Sequence, residues 1–185
     1  MSQTFTFKKQ RPVTDALARH AYLHDRVRLG NCDISGFDCL VASRQGLFAV
    51  ARDGRNEQVA WGSFFGIRRY RDQLYLFEAC DRPASATAMG RILRLSLKGD
   101  LIRDPVILAK GLDNNCHQIA IIDHLLCVVD TANQKIIRFT LEGTTVDEHF
   151  ILDRVARNSE SDNYRHINSI AEIDGKIALM LHNGS

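Results

Sequence analysis

The chain has 185 residues, of which 45% are hydrophobic and 25% charged, as is ordinary for one soluble globular domain. The net charge of +2 is too small to predict a nucleic-acid or membrane partner. No segment approaches the roughly 20 apolar residues of a membrane span and the amino terminus lacks the apolar core of a signal peptide, so we expect a cytoplasmic protein.

Residues 1–30 differ from the rest of the chain and predict an N-terminal extension. The sequence TFTFK, residues 4–8, alternates in the manner of a short strand. Helix-forming residues follow, and with Thr14 as the N-cap they predict a helix over residues 15–28. His20 and His24 would share one face of this helix, but no HExxH motif accompanies them, so we do not expect a metal site there.

From residue 31 onward, short apolar strands recur with a period close to 52 residues. Glu78, Asp130 and His182 end the second strand of successive copies, at intervals of 52 residues. A repeat of about 50 residues with four short antiparallel strands is typical of a β-propeller blade. The sequence therefore predicts an all-β fold, a partial β-propeller of about three and a half four-stranded blades over residues 31–185, with a short N-terminal strand and helix.

The two ends of this repeat array are irregular. Arg52 lies only half a period before Glu78, so the first copy should have an abbreviated outer edge near residues 58–61 or lack a hairpin. The sequence ends just after the second strand of the last copy. We expect an incomplete ring that is a fragment of a longer propeller, or two copies that associate through their open strand edges.

In a propeller, the starts of the first strands and the ends of the second strands lie on one face of the disc. This places several polar residues together, in a ring that can hold a divalent cation or stabilise an anionic group. The predicted roles are catalytic for His117 and His166, ligand-binding for Asn168, His182, Asn183 and Arg52, and metal-binding for Glu78 and Asp130. The alternative is structural, because polar residues at blade ends also close turns, and Asp130-Thr131 is typical of such a turn.

Other signatures of chemistry are lacking in the sequence. There is no GxSxG motif and no phosphate-binding glycine loop, and the side chain of Cys116 should face away from that of His117. The five cysteines include no CxxC pair, so we expect neither a disulfide framework nor a zinc ribbon. No cofactor is predicted beyond the divalent cation that the polar ring would suit.

The run from Leu125 to Leu141 resembles the blades of NHL-type and gluconolactonase-like six-bladed propellers, and the likeness extends over residues 36–183. A lactonase-like site would use an acidic ligand from an early blade with Asn and Asp from later ones, for which Glu78, Asn168 and Asp130 are suitable types. Separately, residues 164–170 resemble the His-x-Asn-Ser segment of arylsulfotransferase-like propellers, which implies a channel histidine at His166.

These observations lead us to expect a binding or scaffold module for a small polar or sugar-like ligand at the channel mouth. A metal-assisted hydrolase or group-transfer enzyme, lactonase-like or sulfotransferase-like and using the channel histidines, is the alternative. A third reading is a truncated propeller without an independent function. Fold alone does not choose among them.

Overall fold

The computed structural model describes residues 26–80, 89–151 and 166–182. Over these ranges the protein is all-β, with fourteen strands in four antiparallel sheets. The strand at residues 4–8 and nearly all of the helix predicted from the sequence lie outside the described residues. Within the ranges described, no helix has the length and apolar composition needed to cross a bilayer.

The sheets follow one another along the chain. The first contains β1 (Arg28–Leu29), β2 (Cys39–Ser43), β3 (Gly46–Val50) and β4 (Asn56–Trp61), in the order β1-β4-β3-β2. The second contains β5 (Phe64–Tyr70), β6 (Gln73–Glu78), β7 (Gly90–Lys98) and β8 (Leu101–Leu112). The third contains β9 (Cys116–Ile122), β10 (Leu125–Asp130), β11 (Lys135–Phe139) and β12 (Thr145–Phe150), and the fourth contains β13 (Ile167–Ile173) and β14 (Lys176–Leu181). The second to fourth sheets keep the sequence order of their strands.

Each apolar core joins two neighbouring sheets. The side chains of β6 alternate between two cores, with Leu76 packed towards the first sheet and Phe77 towards the third. The side chains of β10 alternate in the same way, with Val128 facing the second sheet and Val129 the fourth. Because successive residues of a strand point to opposite sides, a strand between two cores reads as a continuous apolar run. This explains the buried sequences of β6 and β10.

The first sheet runs in the opposite sense to the others. An antiparallel unit of four strands returns the chain to the end where it began, so β9 begins at the same end as β5. In the first sheet, β2, β3 and β4 form a run of three consecutively paired strands that leads into β5, and just Gly62 and Ser63 connect β4 to β5. The β2–β3 turn therefore lies at the end where β5 begins, as the position of the Arg44 guanidinium over the Phe65 ring confirms.

This reversal accounts for the half-period interval in the sequence. The first sheet lacks the strand that would follow β4, and its fourth strand is β1, which pairs with β4 through Arg28 and Trp61. Neither expected form of the first copy is found, because residues 58–61 lie in β4 between β3 and β1, and the sheet keeps four strands by taking its edge strand from the amino-terminal side.

A one-residue β-bulge recurs at the start of the first strand in three sheets. The pairs Phe64–Glu78, Cys116–Asp130 and Ile167–Leu181 open these hairpins, and in each the register shifts by one residue immediately afterwards. The residues beside the shift include Phe65, His117 and Asn168. The β2–β3 hairpin has no such shift. A bulge increases local twist and changes the direction of a side chain. The first strands of these three sheets therefore share the same backbone irregularity at the equivalent position.

The fourth sheet is the least covered part of the described structure. Ile173, Ile177 and Met180 each expose more than half of their surface, at 57%, 54% and 55%. Among the described residues, β14 pairs with β13 alone, so one edge of β14 adjoins no other described strand.

Candidate functional site

Three histidines form a row where β5, β9 and β13 begin, which we call the strand-start end. The ring centroids of His117 and His166 are 5.3 Å apart, and those of His166 and His182 are 5.2 Å apart. His117 follows the first residue of β9, His166 immediately precedes β13, and His182 immediately follows β14. The sequence-predicted residues His117, His166 and His182 therefore meet in the structure.

Local backbone geometry fixes this row. His166 has a positive φ of 50°, and its carbonyl oxygen accepts a hydrogen bond of 3.0 Å from the backbone N–H of His182. That bond prolongs the β13–β14 pairing by one step and holds the two residues side by side. On β9, the register shift between the pairs Val128–Ile119 and Asp130–Cys116 falls at His117 and Gln118.

Aromatic and cationic groups extend the row towards the first sheet. The rings of Phe65 and His117 pack in a T-shaped arrangement with their centroids 5.8 Å apart. The guanidinium carbon of Arg44 lies 5.6 Å from the centroid of Phe65. Neither residue was predicted from the sequence. Phe65 could have been found, because the repeat aligns it with His117, whereas Arg44 depends on the reversed direction of the first sheet.

The surroundings of His117 and His166 favour the uncharged forms of these two rings. Burial lowers the pKa of His117, and the neighbouring His166, Arg44 and His182 lower it further. The pKa of His166 is also lowered, first by burial and then by His182. His117 and His166 are half-buried and His182 is exposed. A neutral imidazole offers one hydrogen-bond donor and one acceptor, as a polar ligand requires.

Glu78, a predicted metal ligand, belongs to a buried ion pair. Its Oε2 accepts a hydrogen bond of 2.7 Å from Arg91 Nε, and Arg91 also donates a 3.0 Å bond to the carbonyl oxygen of Arg26. Burial raises the pKa of Glu78 to about 7, although Arg91 acts in the opposite direction. Glu78 thus has a cationic partner on β7.

Asp130, the other predicted metal ligand, organises the β10–β11 turn. Its carboxylate accepts hydrogen bonds from the backbone N–H and the side-chain amide of Asn133, and Lys135 Nζ lies 4.0 Å away. Burial raises the pKa of Asp130, while Asn133 and Lys135 favour its charged form. This arrangement corresponds to the structural alternative, in which Asp130-Thr131 closes a turn. In the part of the chain that the structure describes, no three side chains of His, Cys, Asp and Glu are placed to hold a metal ion.

The remaining predicted site residues do not all lie at the histidine row. Asn168 lies half-buried in the β13 bulge, near the row. Arg52 follows β3 and pairs with Asp38 at 3.2 Å. Because the first sheet is reversed, that pair lies at the end opposite the histidines, so Arg52 is not brought to the row. Asn183 lies outside the described residues.

The cysteines are not part of the row. All five carry free thiols, and Cys116 and Cys127 are buried in apolar cores. Burial raises the pKa of Cys80 to about 12, so its thiol stays protonated at neutral pH.

The comparison with known proteins gives no assignment. No protein-family model matches the chain, and no curated protein is significantly similar to it.

Proposed function

We propose that this chain is a β-propeller-like module that binds a small polar or sugar-like ligand at the strand-start end. The architectural part of the proposal is supported by the three first strands, β5, β9 and β13, which run in the same sense and share a bulge. Its blades would resemble those of the NHL-like six-bladed class. The strand-start end would then be the mouth of the channel.

The contact between His117 and His166 carries the functional part. Two half-buried imidazoles from different sheets lie 5.3 Å apart, with an exposed third beside them. Such groups hydrogen-bond to hydroxyl, carbonyl or acidic groups of a ligand. Phe65 adds an apolar surface of the kind that packs against the C–H face of a sugar.

The hydrolase reading has less support than the binding reading. It assigns a metal or acid–base role to Glu78 or Asp130, and both carboxylates already have close partners in Arg91 and Asn133. A binding module needs neither carboxylate. We therefore propose binding as the function and keep metal-assisted hydrolysis or group transfer as the enzyme alternative.

Nuclear magnetic resonance of the histidine rings tests the proposal. Glucose, gluconate, glucuronate and gluconolactone are added separately to labelled protein. We expect at least one to shift the ring signals of His117, His166 and His182. His124 is the internal control, because its Nδ1 lies 2.8 Å from the Tyr70 hydroxyl at the opposite end of the sheets. Equal shifts at His124, or none at the row with every probe, would contradict the proposal.

The open edge of β14 supports self-association as a further part of this proposal. Ile173, Ile177 and Met180 offer apolar surface beside that edge, and a second copy of the chain would cover it. Sedimentation analysis of the wild type and of Ile177→Lys tests this. We expect the wild type to form dimers and the variant to shift towards monomer, with Val146→Lys on β12 as the exposed apolar control. A monomeric wild type would refute self-association.

A further inference from the structure

His117 has one cationic neighbour, Arg44, and two neighbours that become cationic on protonation, His166 and His182. Arg44 lies in the β2–β3 turn of the first sheet, and His117 lies on β9 of the third. His166 precedes β13 and His182 follows β14, so both belong with the fourth sheet. Every charged group that shifts the pKa of His117 is one of these three neighbours, and each lowers it. A group of like charges lowers the affinity of its members for protons.

Two of the described carboxylates at this end, Glu78 and Asp130, have partners of their own. Glu78 on β6 pairs with Arg91, and Asp130 on β10 is held by Asn133 and lies near Lys135. Neither contributes to the shift of His117. The positive charge of Arg44 near the half-buried ring of His117 therefore favours an anionic ligand at this place.

We infer that the ligand of this site carries an oxyanionic group, a carboxylate, sulfate or phosphate ester, which His117 and Arg44 bind from two different sheets. The inference rests on the proposed function, because it names the ligand class of the same site. A guanidinium and a protonated imidazole both donate charge-assisted hydrogen bonds to oxyanions. His166 and His182 add donors along the row.

A cation is the less suitable ligand. Neutral imidazoles do bind metals, but the positive charge of Arg44 beside Phe65 would repel a divalent ion near His117. The described residues also provide no three-residue set of His, Cys, Asp and Glu suited to a metal. An anion is attracted by Arg44 and does not require a set of metal ligands.

Phe65 acts as a positioning residue for this site. Its ring contacts both groups, with the Arg44 guanidinium over the ring at 5.6 Å from the centroid and the His117 ring packed against it in a T-shaped arrangement at 5.8 Å. A cation over an aromatic ring is held by the ring quadrupole, which limits where Arg44 can reach. Phe65 thereby sets the spacing between the Arg44 guanidinium and the His117 ring.

Anion binding at this row is coupled to proton uptake. In the free protein the pKa values of His117 and His166 are lowered, so both rings are mainly neutral at pH 7. A bound anion stabilises the charged ring and raises its pKa. Affinity therefore increases as pH falls, by up to about tenfold per pH unit for each proton taken up.

Calorimetric titration with sulfate, whose charge is constant over this range, is the first test. We expect sulfate to bind more tightly at pH 6 than at pH 7.5, with proton uptake revealed by two buffers of different ionisation enthalpy. Arg44→Gln should weaken binding about tenfold or more, and Arg103→Gln on β8, also an exposed arginine, should leave it unchanged. Equal affinity in the wild type and Arg44→Gln would overturn the inference.

Two further probes separate the sources of the anion and the two proposals. Tighter binding of glucuronate than of sulfate would assign the group to a sugar acid, and the reverse order would assign it to a sulfate or phosphate ester. The pKa of His117, read from its ring signals, should rise on saturation in unmodified protein. If glucose shifts the histidine signals without pH dependence, the anion inference is wrong and the proposed function stands. If no probe shifts them, the proposed function is wrong as well.

Discussion

Glu78 and Arg91 form an ion pair of 2.7 Å in which both side chains are almost wholly buried, with 1% and 3% of their surface exposed. Only one carboxylate oxygen takes part, since Glu78 Oε1 has no hydrogen-bond partner among the described residues. A carboxylate that is buried and half-satisfied costs free energy when it is charged. The pair is thus sensitive to pH.

The folded-state pKa of Glu78, about 7, lies above its ordinary value of 4.5. Stability from a protonated Glu78 is therefore fully present below pH 4.5 and is lost as pH rises through 7. A shift of this size corresponds to roughly 3 kcal/mol. We expect Glu78→Gln to remove this pH dependence, measured as the free energy of unfolding in urea at several pH values from 4.5 to 8.

Glu148→Gln is the matched control for that experiment, because Glu148 forms an exposed ion pair with Lys135 at 2.7 Å. It should change the unfolding free energy by less than about 1 kcal/mol at any of these pH values. An unchanged pH profile in Glu78→Gln would show that another group causes the dependence.

The histidine row should produce a pH dependence of opposite sign. A histidine whose folded pKa is lowered contributes stability that is present above its ordinary pKa of 6.5 and is lost as pH falls. We expect His117→Gln to lose less stability than the wild type between pH 7.5 and pH 5, measured by thermal unfolding. His149→Gln on β12 is the control, since His149 is exposed and lies beside Asp147 at 3.2 Å. Parallel profiles for the wild type and His117→Gln would contradict this prediction.

Gly66 allows β5 and β9 to approach each other closely. A Cβ added at Gly66 would lie 2.9 Å from the backbone nitrogen of Ile119, a contact that requires the strands to move apart. We expect Gly66→Ala to destabilise the fold by about 1–3 kcal/mol, as overpacking does. Chemical denaturation measures this.

Ser169→Ala is a suitable comparison for that variant, because Ser169 holds the position on β13 that follows the bulge, as Gly66 does on β5. The change adds no atom and should cost less than about 1 kcal/mol. A Gly66→Ala protein as stable as Ser169→Ala would mean that the β5–β9 spacing adjusts freely.

Thr131 connects the third and fourth sheets. Its Oγ1 donates a buried hydrogen bond of 2.6 Å to the carbonyl oxygen of Ile167, and Gln118 Oε1 accepts a second bond of 2.7 Å from Ile170 N–H. We expect Thr131→Val to cost about 1–3 kcal/mol, because the carbonyl of Ile167 loses this donor. Hydrogen exchange should accelerate in β13 and β14 before it does in β6. Thr145→Val on the exposed β12 should leave exchange unchanged, and a uniform acceleration in Thr131→Val would exclude a local role.

The sequence predicted the strands of the second and third sheets well, for a physical reason. Apolar runs ended by turn residues mark each strand, and the period of 52 residues equals the interval between the pairs Phe64–Glu78 and Cys116–Asp130. The all-β assignment is confirmed, as is the meeting of His117 with His166. The propeller and the ligand stay predictions.

The direction of the first sheet could not be derived from the alignment. Arg52 was grouped with Glu78 because both follow a strand, but direction depends on the number of strands between two points and not on their composition. The bulges were equally hidden, because strands that are buried on both faces show no apolar–polar alternation whose phase an added residue would shift. Glu78 was recognised as polar at a strand end, whereas Arg91, its partner, lies 13 residues away on another strand.

The run of three strands from β2 to β4 also bears on how such a chain can change by insertion or deletion. Gain or loss of a hairpin adds or removes an even number of strands and leaves every later sheet in its original direction. Gain or loss of one strand inverts everything that follows relative to everything before it. At the junction Gly62-Ser63 a run of three strands, an odd number, leads into β5, and the resulting inversion places a turn arginine, Arg44, near the histidine row. A rearrangement by one strand can in this way supply a binding site with a new charged group without any change to the strands that carry the histidines.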